Sequence, residues 1–142
     1  MLVFLVTLCS YGQESLQLKL IKSSDLPNTS KEHIYLLEVV NKSDNSIDFT
    51  IVSKATNCEL IDPANQVELI KAFIKVKTNQ VFESANIGAH TTLNFYVKLT
   101  RKIDTPLGTW SCTEITIIND KNGNTSNTLV IKSHIPDPKN FN

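Results

Sequence analysis

The sequence predicts an all-β protein, an immunoglobulin-like sandwich of two antiparallel sheets built from about seven strands. Three observations carry that expectation. Apolar and polar residues alternate with a period of two through most of the chain, the repeat that sends successive strand side chains to opposite faces. Polar turns rich in Asn, Asp and Ser separate the alternating runs, and such residues satisfy or bend the local backbone. No run carries an unambiguous helical period. Short strands spaced this way must each bury one face, and two sheets packed together bury both.

The first run after the N-terminus is LQLKL, with Leu16, Leu18 and Leu20 on one face. HIYLLEVV, residues 33–40, is apolar on both faces, as a central strand covered on each side would be. NKSDNS at 41–46 turns the chain into IDFTI, where Ile47, Phe49 and Ile51 alternate. Cys58 follows in the polar loop TNCELIDP. QVELIKAFIKVK, residues 66–77, supports two readings: a strand with Ile70, Ala72, Ile74 and Val76 on one face, or a helix with a Glu68, Lys71, Lys75 stripe. Its surroundings favour the strand.

In TTLNFYVKLT the residues Leu93, Phe95, Val97 and Leu99 are expected to face the core together with Trp110, leaving Asn94, Tyr96 and Lys98 accessible. Pro106-Leu107-Gly108 breaks the chain before the next strand, TWSCTEITI. A bulge near Thr113-Glu114 is expected there, keeping Trp110, Cys112, Ile115 and Ile117 inward and turning Glu114 out. NDKNGN at 119–124 contains Asn122-Gly123, the signal of a type I′ hairpin turn. The last strand, TLVIKSHI, alternates Leu129, Ile131 and Ile135.

The N-terminal stretch differs in kind. Leu2 to Cys9 is apolar. As a helix such a run rises only about 12 Å, too little to cross a hydrocarbon core of roughly 30 Å. It fits the apolar region of a secretory signal, with small residues Ser10 and Gly12 before a cleavage point. Residues 1–12 are therefore read as a signal peptide and 13–142 as one domain. The basic segment that normally precedes such a run is absent, so the start codon is expected several codons upstream. Acylation of Cys9 is the weaker alternative, because bulky Leu8 sits where lipoprotein sites carry a small residue.

The 14 basic and 14 acidic residues of the 142-residue chain cancel and are well mixed. That balance gives no electrostatic case for nucleic acid or an anionic membrane. Four Gly and five Pro leave no flexible linker. With Cys9 removed, Cys58 and Cys112 remain, an even count that permits one disulfide in an oxidising compartment. The position of Cys58 in a loop leaves open the alternative of two inert thiols.

LLEVVNKSDNSIDFTI resembles the strand, Asn, polar turn, strand signature of bacterial secreted immunoglobulin-like and fibronectin-III-like modules. IGAHTTLNFYVKLT and TPLGTWSCTEITI resemble their later half. The resemblance implies a seven-stranded sandwich in a secreted or cell-envelope protein serving as a binding or spacer module. Small β-sandwich proteinase inhibitors share this grammar and are the alternative. Their reactive loop would fall within residues 55–66 or 78–91.

Chemistry is sparse. His33, His90 and His134 stand alone, without the paired spacing of a zinc site, and are expected at surface or edge positions. SDNSID and NDKNGN offer Asp44, Asn45, Asp48, Asp120 and Asn124, yet Asx-rich turns look the same as calcium loops. Cys112 has no adjacent base. No nucleophile elbow, phosphate loop or dinucleotide fingerprint occurs. The expectation is a non-enzymatic module without metal or cofactor, for which Tyr96 is the candidate surface contact toward a protein or carbohydrate. The mature protein purified from its native host is expected to begin at Gln13. Intact mass measurement checks this, and a folded, soluble form retaining Met1 or Leu2 contradicts it.

Overall fold

The computed structural model describes residues 15–141, so the expectations for the signal peptide and Cys9 lie outside it. Eight strands follow one another: β1 Leu16–Lys22, β2 Glu32–Asn41, β3 Ile47–Thr56, β4 Ile70–Lys75, β5 Ser84–Ile87, β6 Thr92–Thr100, β7 Thr109–Asn119 and β8 Leu129–Ile135. They form two four-stranded sheets, a front sheet ordered β1-β2-β6-β4 and a back sheet ordered β5-β3-β7-β8. Every strand pair is antiparallel. The chain is an all-β, immunoglobulin-like sandwich, and among the described residues only two short 3-10 turns, at Pro63–Asn65 and Pro138–Phe141, are helical.

The ambiguous stretch 66–77 resolves as β4. Phe73 faces the core, opposite Val97 in β6, while Ile70, Ala72 and Ile74 line the outer face. After β4 the chain turns back. Phe82 N donates to Phe73 O and Lys75 N to Gln80 O, and Ile51 N then donates to Glu83 O. One extended segment thus starts on the edge of the front sheet and finishes as β5 on the edge of the back sheet. It closes that side of the sandwich.

Between the sheets lies one apolar layer. Phe95 is 0 % exposed. Phe73 and Phe82 meet its ring edge to face, at centroid distances of 6.1 and 5.9 Å, the geometry that the ring quadrupoles favour. Phe49, Ile115 and Ile117 cover it from the back sheet, and Leu18, Leu37, Val39, Val97 and Leu99 complete the layer. Leu93 packs against this cluster, and Tyr96 is half-buried on the opposite face.

Two amides, Asn41 buried and Asn127 partly buried, tie the sheets together at their polar end. Asn41, wholly buried, sends Nδ2 to the carbonyls of Asn45 (2.8 Å), Gly88 (3.0 Å) and Ile87 (3.3 Å). Its Oδ1 accepts from Ser43 N and Ser43 Oγ. The amide has two N–H groups for three carbonyls, so the longest contact is shared. Asn127 holds β1 to the connection before β8: its Oδ1 accepts from Leu18 N and its Nδ2 donates to Leu18 O, as a neighbouring peptide group would.

Four expectations are corrected. First, β7 contains no bulge. Its pairing with β3 runs unbroken from Phe49↔Asn119 to Thr56↔Cys112. Thr109, Ser111, Thr113, Ile115 and Ile117 are buried along one face, which puts Trp110, Cys112 and Glu114 on the outer face.

Second, Trp110 is therefore not in the core. It gains its cover from the outside, stacked on His134 at 4.2 Å with Lys132 Nζ 4.7 Å from the ring centroid. The inner space it was expected to fill holds hydroxyls instead. Tyr35 Oη and Ser133 Oγ pair at 2.9 Å, and Ser111 Oγ is buried with no hydrogen-bond partner among the described residues.

Third, His33 is buried, with Nδ1 at 3.1 Å from Ser24 Oγ, because odd positions of β2 point inward. Fourth, the β7–β8 hairpin is not a type I′ turn. Gly123 has φ 73° but Asn122 is not left-handed, and the turn is a wider one closed by Gly123 N donating to Asn119 O.

Truncating Phe95 to Ala is expected to cost about 3–5 kcal/mol, the lost transfer energy plus a cavity between two rings that cannot collapse freely. Denaturant unfolding measures it, and a loss below about 1 kcal/mol contradicts the packing described.

Candidate functional site

The outer faces of the two sheets differ. Across the back sheet the outward side chains are mostly polar and pair with one another: Lys54 with Glu114 at 3.9 Å, Thr116 with Thr128 at 3.2 Å, and Thr50 with Ser84 and Asp120 at 3.0 and 2.7 Å. The front sheet presents an apolar stripe. Register places Lys22 opposite Leu36, Leu36 opposite Tyr96, and Tyr96 opposite Ile74, so one row crosses all four strands. The adjoining row is Ile34, Lys98 and Ala72. Directly opposed side chains on one face lie within contact range, so the row is a continuous surface.

That surface is the floor of a groove of about 550 Å³, lined by Lys22, Ser23, Asp25, Leu26, Ile34, Leu36, Ile74, Asn79 and Tyr96. The β1–β2 connection walls one end and the turn after β4 the other. Lys22 Nζ bonds Asp25 at 3.1 Å, and this hydrogen bond, followed by the ammonium charge, holds the Asp25 carboxyl below the usual aspartate range. The two charges cancel, which leaves the groove neutral. Charged pairs edge the stripe: Lys98 with Glu32 at 3.2 Å on one flank, and Glu38 opposite Lys19 on the other.

Tyr96 thus sits at the centre of an apolar, solvent-facing stripe. Its companions Ile34 and Leu36 belong to HIYLLEVV, which the sequence suggests is covered on both faces; the front sheet instead leaves its outer face toward solvent. Ile74 was visible as one face of a strand. That Leu36 and Ile74 share a row with Tyr96, with Ile34 in the adjoining one, depends on strand order, which local periodicity does not contain.

The structure joins Cys58 to Cys112 in a disulfide with Cα atoms 5.4 Å apart. The bridge does not pin sheet to sheet. Thr56 pairs directly with Cys112, so Cys58, two residues on, is bonded back onto the outer side of β7 and anchors the 57–66 loop there. Gln66 fills the loop. Its Oε1 accepts from Cys58 N at 2.8 Å, and its Nε2 donates to Asn57 Oδ1 and Ile61 O, both at 2.9 Å.

The remaining sites that the sequence raised are dispersed. His90, left-handed at φ 53°, bonds Asp44 at 2.6 Å. Asp48 and Asp120 are brought together by Asp120 N donating to Asp48 O, at a broad cleft between the 43–48 and 119–122 segments. Each carboxylate there accepts from a neutral donor, Asn86 or Thr50. Among the described residues no three His, Cys, Asp or Glu side chains converge as a metal site, and no helix is long and apolar enough to cross a membrane.

No family model and no curated protein sequence matches this chain. Solved structures do. A FixG-related protein from Vibrio parahaemolyticus superposes with a TM-score of 0.58 at 13% identity, over 88% of this chain and 99% of that one. A conjugative transposon lipoprotein from Bacteroides eggerthii gives 0.50 at 9% identity, over 85% and 98%. AvmM, which catalyses macrocyclization in alchivemycin A biosynthesis, gives 0.52 at 7% identity, over 88% and 90%. At such identities the likeness is one of fold, and the fold hosts different functions.

Replacing Cys58 and Cys112 together by Ala is expected to cost about 4 kcal/mol on the chain-entropy account, for a separation of 54 residues. Denaturant unfolding of the wild type with and without reductant should show the same difference. Equal midpoints under both conditions contradict it.

Proposed function

We propose that this protein is an exported, non-enzymatic binding or structural module of the cell envelope or extracellular space. The observation that carries the binding role is the Leu36–Tyr96–Ile74 row. These side chains lie half-buried in an apolar row on the solvent side of a sheet, where a face that meets only water normally alternates to polar residues. The Cys58–Cys112 bridge supports export, because disulfides persist in oxidising compartments. One of the sandwiches that superpose on the chain is a lipoprotein, which is compatible with this location. The ligand class of the groove is a protein or carbohydrate surface with an apolar face and no net charge.

Fractionating the native host tests the location: the protein is expected outside the cytoplasm with both mature thiols oxidised, and a cytoplasmic pool with free thiols contradicts it. The binding role is tested by Tyr96→Glu and Ile74→Glu. Both variants are expected to stay within about 1 kcal/mol of wild-type stability, since the changes face solvent, while retention in the envelope fraction falls. Unchanged retention with unchanged stability removes the stripe from consideration.

A further inference from the structure

Leu60 is the residue least suited to its own position. Its exposure is 104 %, so no part of the fold covers it. Its φ of 63° lies in the left-handed region, which glycine and asparagine enter readily and a large aliphatic residue enters only at a cost. Neither solvent nor backbone favours leucine there.

The loop that imposes this geometry is braced. The Cys58–Cys112 bridge fixes its start, Ile61 N donates to Cys58 O at 3.3 Å to close the turn around Leu60, and the Gln66 carboxamide fills the interior. Asp62 Oδ1 accepts from Ala64 N and shapes the exit. A residue that breaks two local rules inside a rigid frame marks a functional position more often than a structural one.

The surroundings agree. The connection from β6 to β7 crosses at the same end of the sandwich and presents Ile103, 109 % exposed. At the opposite end, the turns 42–46, 88–91 and 120–124 contain no large aliphatic residue. Glu59 and Asp62, both exposed, flank Leu60. Acidic flanks oppose docking on an anionic lipid surface. A left-handed turn at the tip also differs from the extended run that a protease threads through its cleft.

We propose that the 57–66 loop is a pre-shaped protein-docking element in which Leu60 inserts into an apolar pocket of a partner protein, with basic groups at the pocket rim meeting Glu59 and Asp62. Bracing the loop in advance removes the ordering cost that a flexible loop incurs on binding. This surface is separate from the Tyr96 groove and does not depend on it.

The test places a photoreactive amino acid at Ala64, on the exposed loop but off the anchor, in the full-length protein expressed in its native host. The expected result is one protein–protein adduct. Its yield should fall at least 10-fold with Leu60→Asn, with Glu59→Lys combined with Asp62→Lys, and with Cys58→Ser combined with Cys112→Ser, and stay unchanged with Tyr96→Glu. Purified Leu60→Asn is expected to hold or raise the thermal midpoint, because asparagine tolerates the left-handed backbone.

Loss of the adduct in Tyr96→Glu alone would assign the contact to the groove and overturn the loop proposal. So would an adduct with lipid, an adduct at twice the chain mass, no adduct, or an adduct indifferent to Leu60→Asn. A thermal midpoint several degrees lower in Leu60→Asn would show that the fold itself needs the leucine, and would also overturn it.

Discussion

The buried amide of Asn41 fixes how the two sheets meet. It stands at the last position of β2, in the front sheet, and its Nδ2 reaches the carbonyls of Ile87 and Gly88, where β5 leaves the back sheet. The same side chain shapes the β2–β3 turn through Ser43 and Asn45. One residue therefore sets the point at which the chain passes from front to back and the point at which it returns. Apolar packing between sheets is strong but non-directional, so it tolerates sliding. Hydrogen bonds to fixed carbonyls do not. With Asn41 and Asn127 holding the polar end, the register that lines up Leu36, Tyr96 and Ile74 on one outer row becomes a fixed property of the fold.

Much of this was legible in residues of one strand at a time. The alternation in β6 gives the phase that buries Phe95 and turns Tyr96 to the outer face, because Leu93, Phe95, Val97 and Leu99 fall on one side of the strand. The phase of β7 was not legible. Its strand mixes Thr, Ser, Cys and Trp at the end near the loops, and local chemistry suggests that a tryptophan belongs inside. The structure instead gives Trp110 cover from His134 and Lys132, side chains of a neighbouring strand, and fills the inner positions of β7 with the small hydroxyl residues Thr109, Ser111 and Thr113. Such a choice depends on which strands are neighbours. The same reason hid His33, whose burial follows from its place on the inner side of β2 next to Ser24.

Both candidate surfaces likewise depend on tertiary context. The stripe on the front sheet needs three strands in register, and the Leu60 loop needs the disulfide and Gln66 to hold an unfavourable backbone. In each case the sequence contains the residues without the relation between them. The two surfaces also differ in kind. The stripe is flat, neutral and apolar, suited to a ligand with one apolar face. The loop is a narrow, acidic-flanked tip, suited to a pocket.

Whether Asn41 clamps the sandwich can be read from Asn41→Asp. This change keeps the shape and removes the donors, setting a carboxylate against three carbonyl oxygens. At pH 7 the variant is expected to lose roughly 3 kcal/mol or more of unfolding free energy. The buried, carbonyl-facing carboxyl would have a folded-state pKa raised above its unfolded value. The folded state then binds more protons, so the deficit should shrink as pH falls through that raised value and the protonated carboxyl recovers one donor. Denaturant unfolding at pH 7 and near pH 4 measures both. A variant as stable as wild type at pH 7, or a deficit that does not narrow at acid pH, would contradict the clamp.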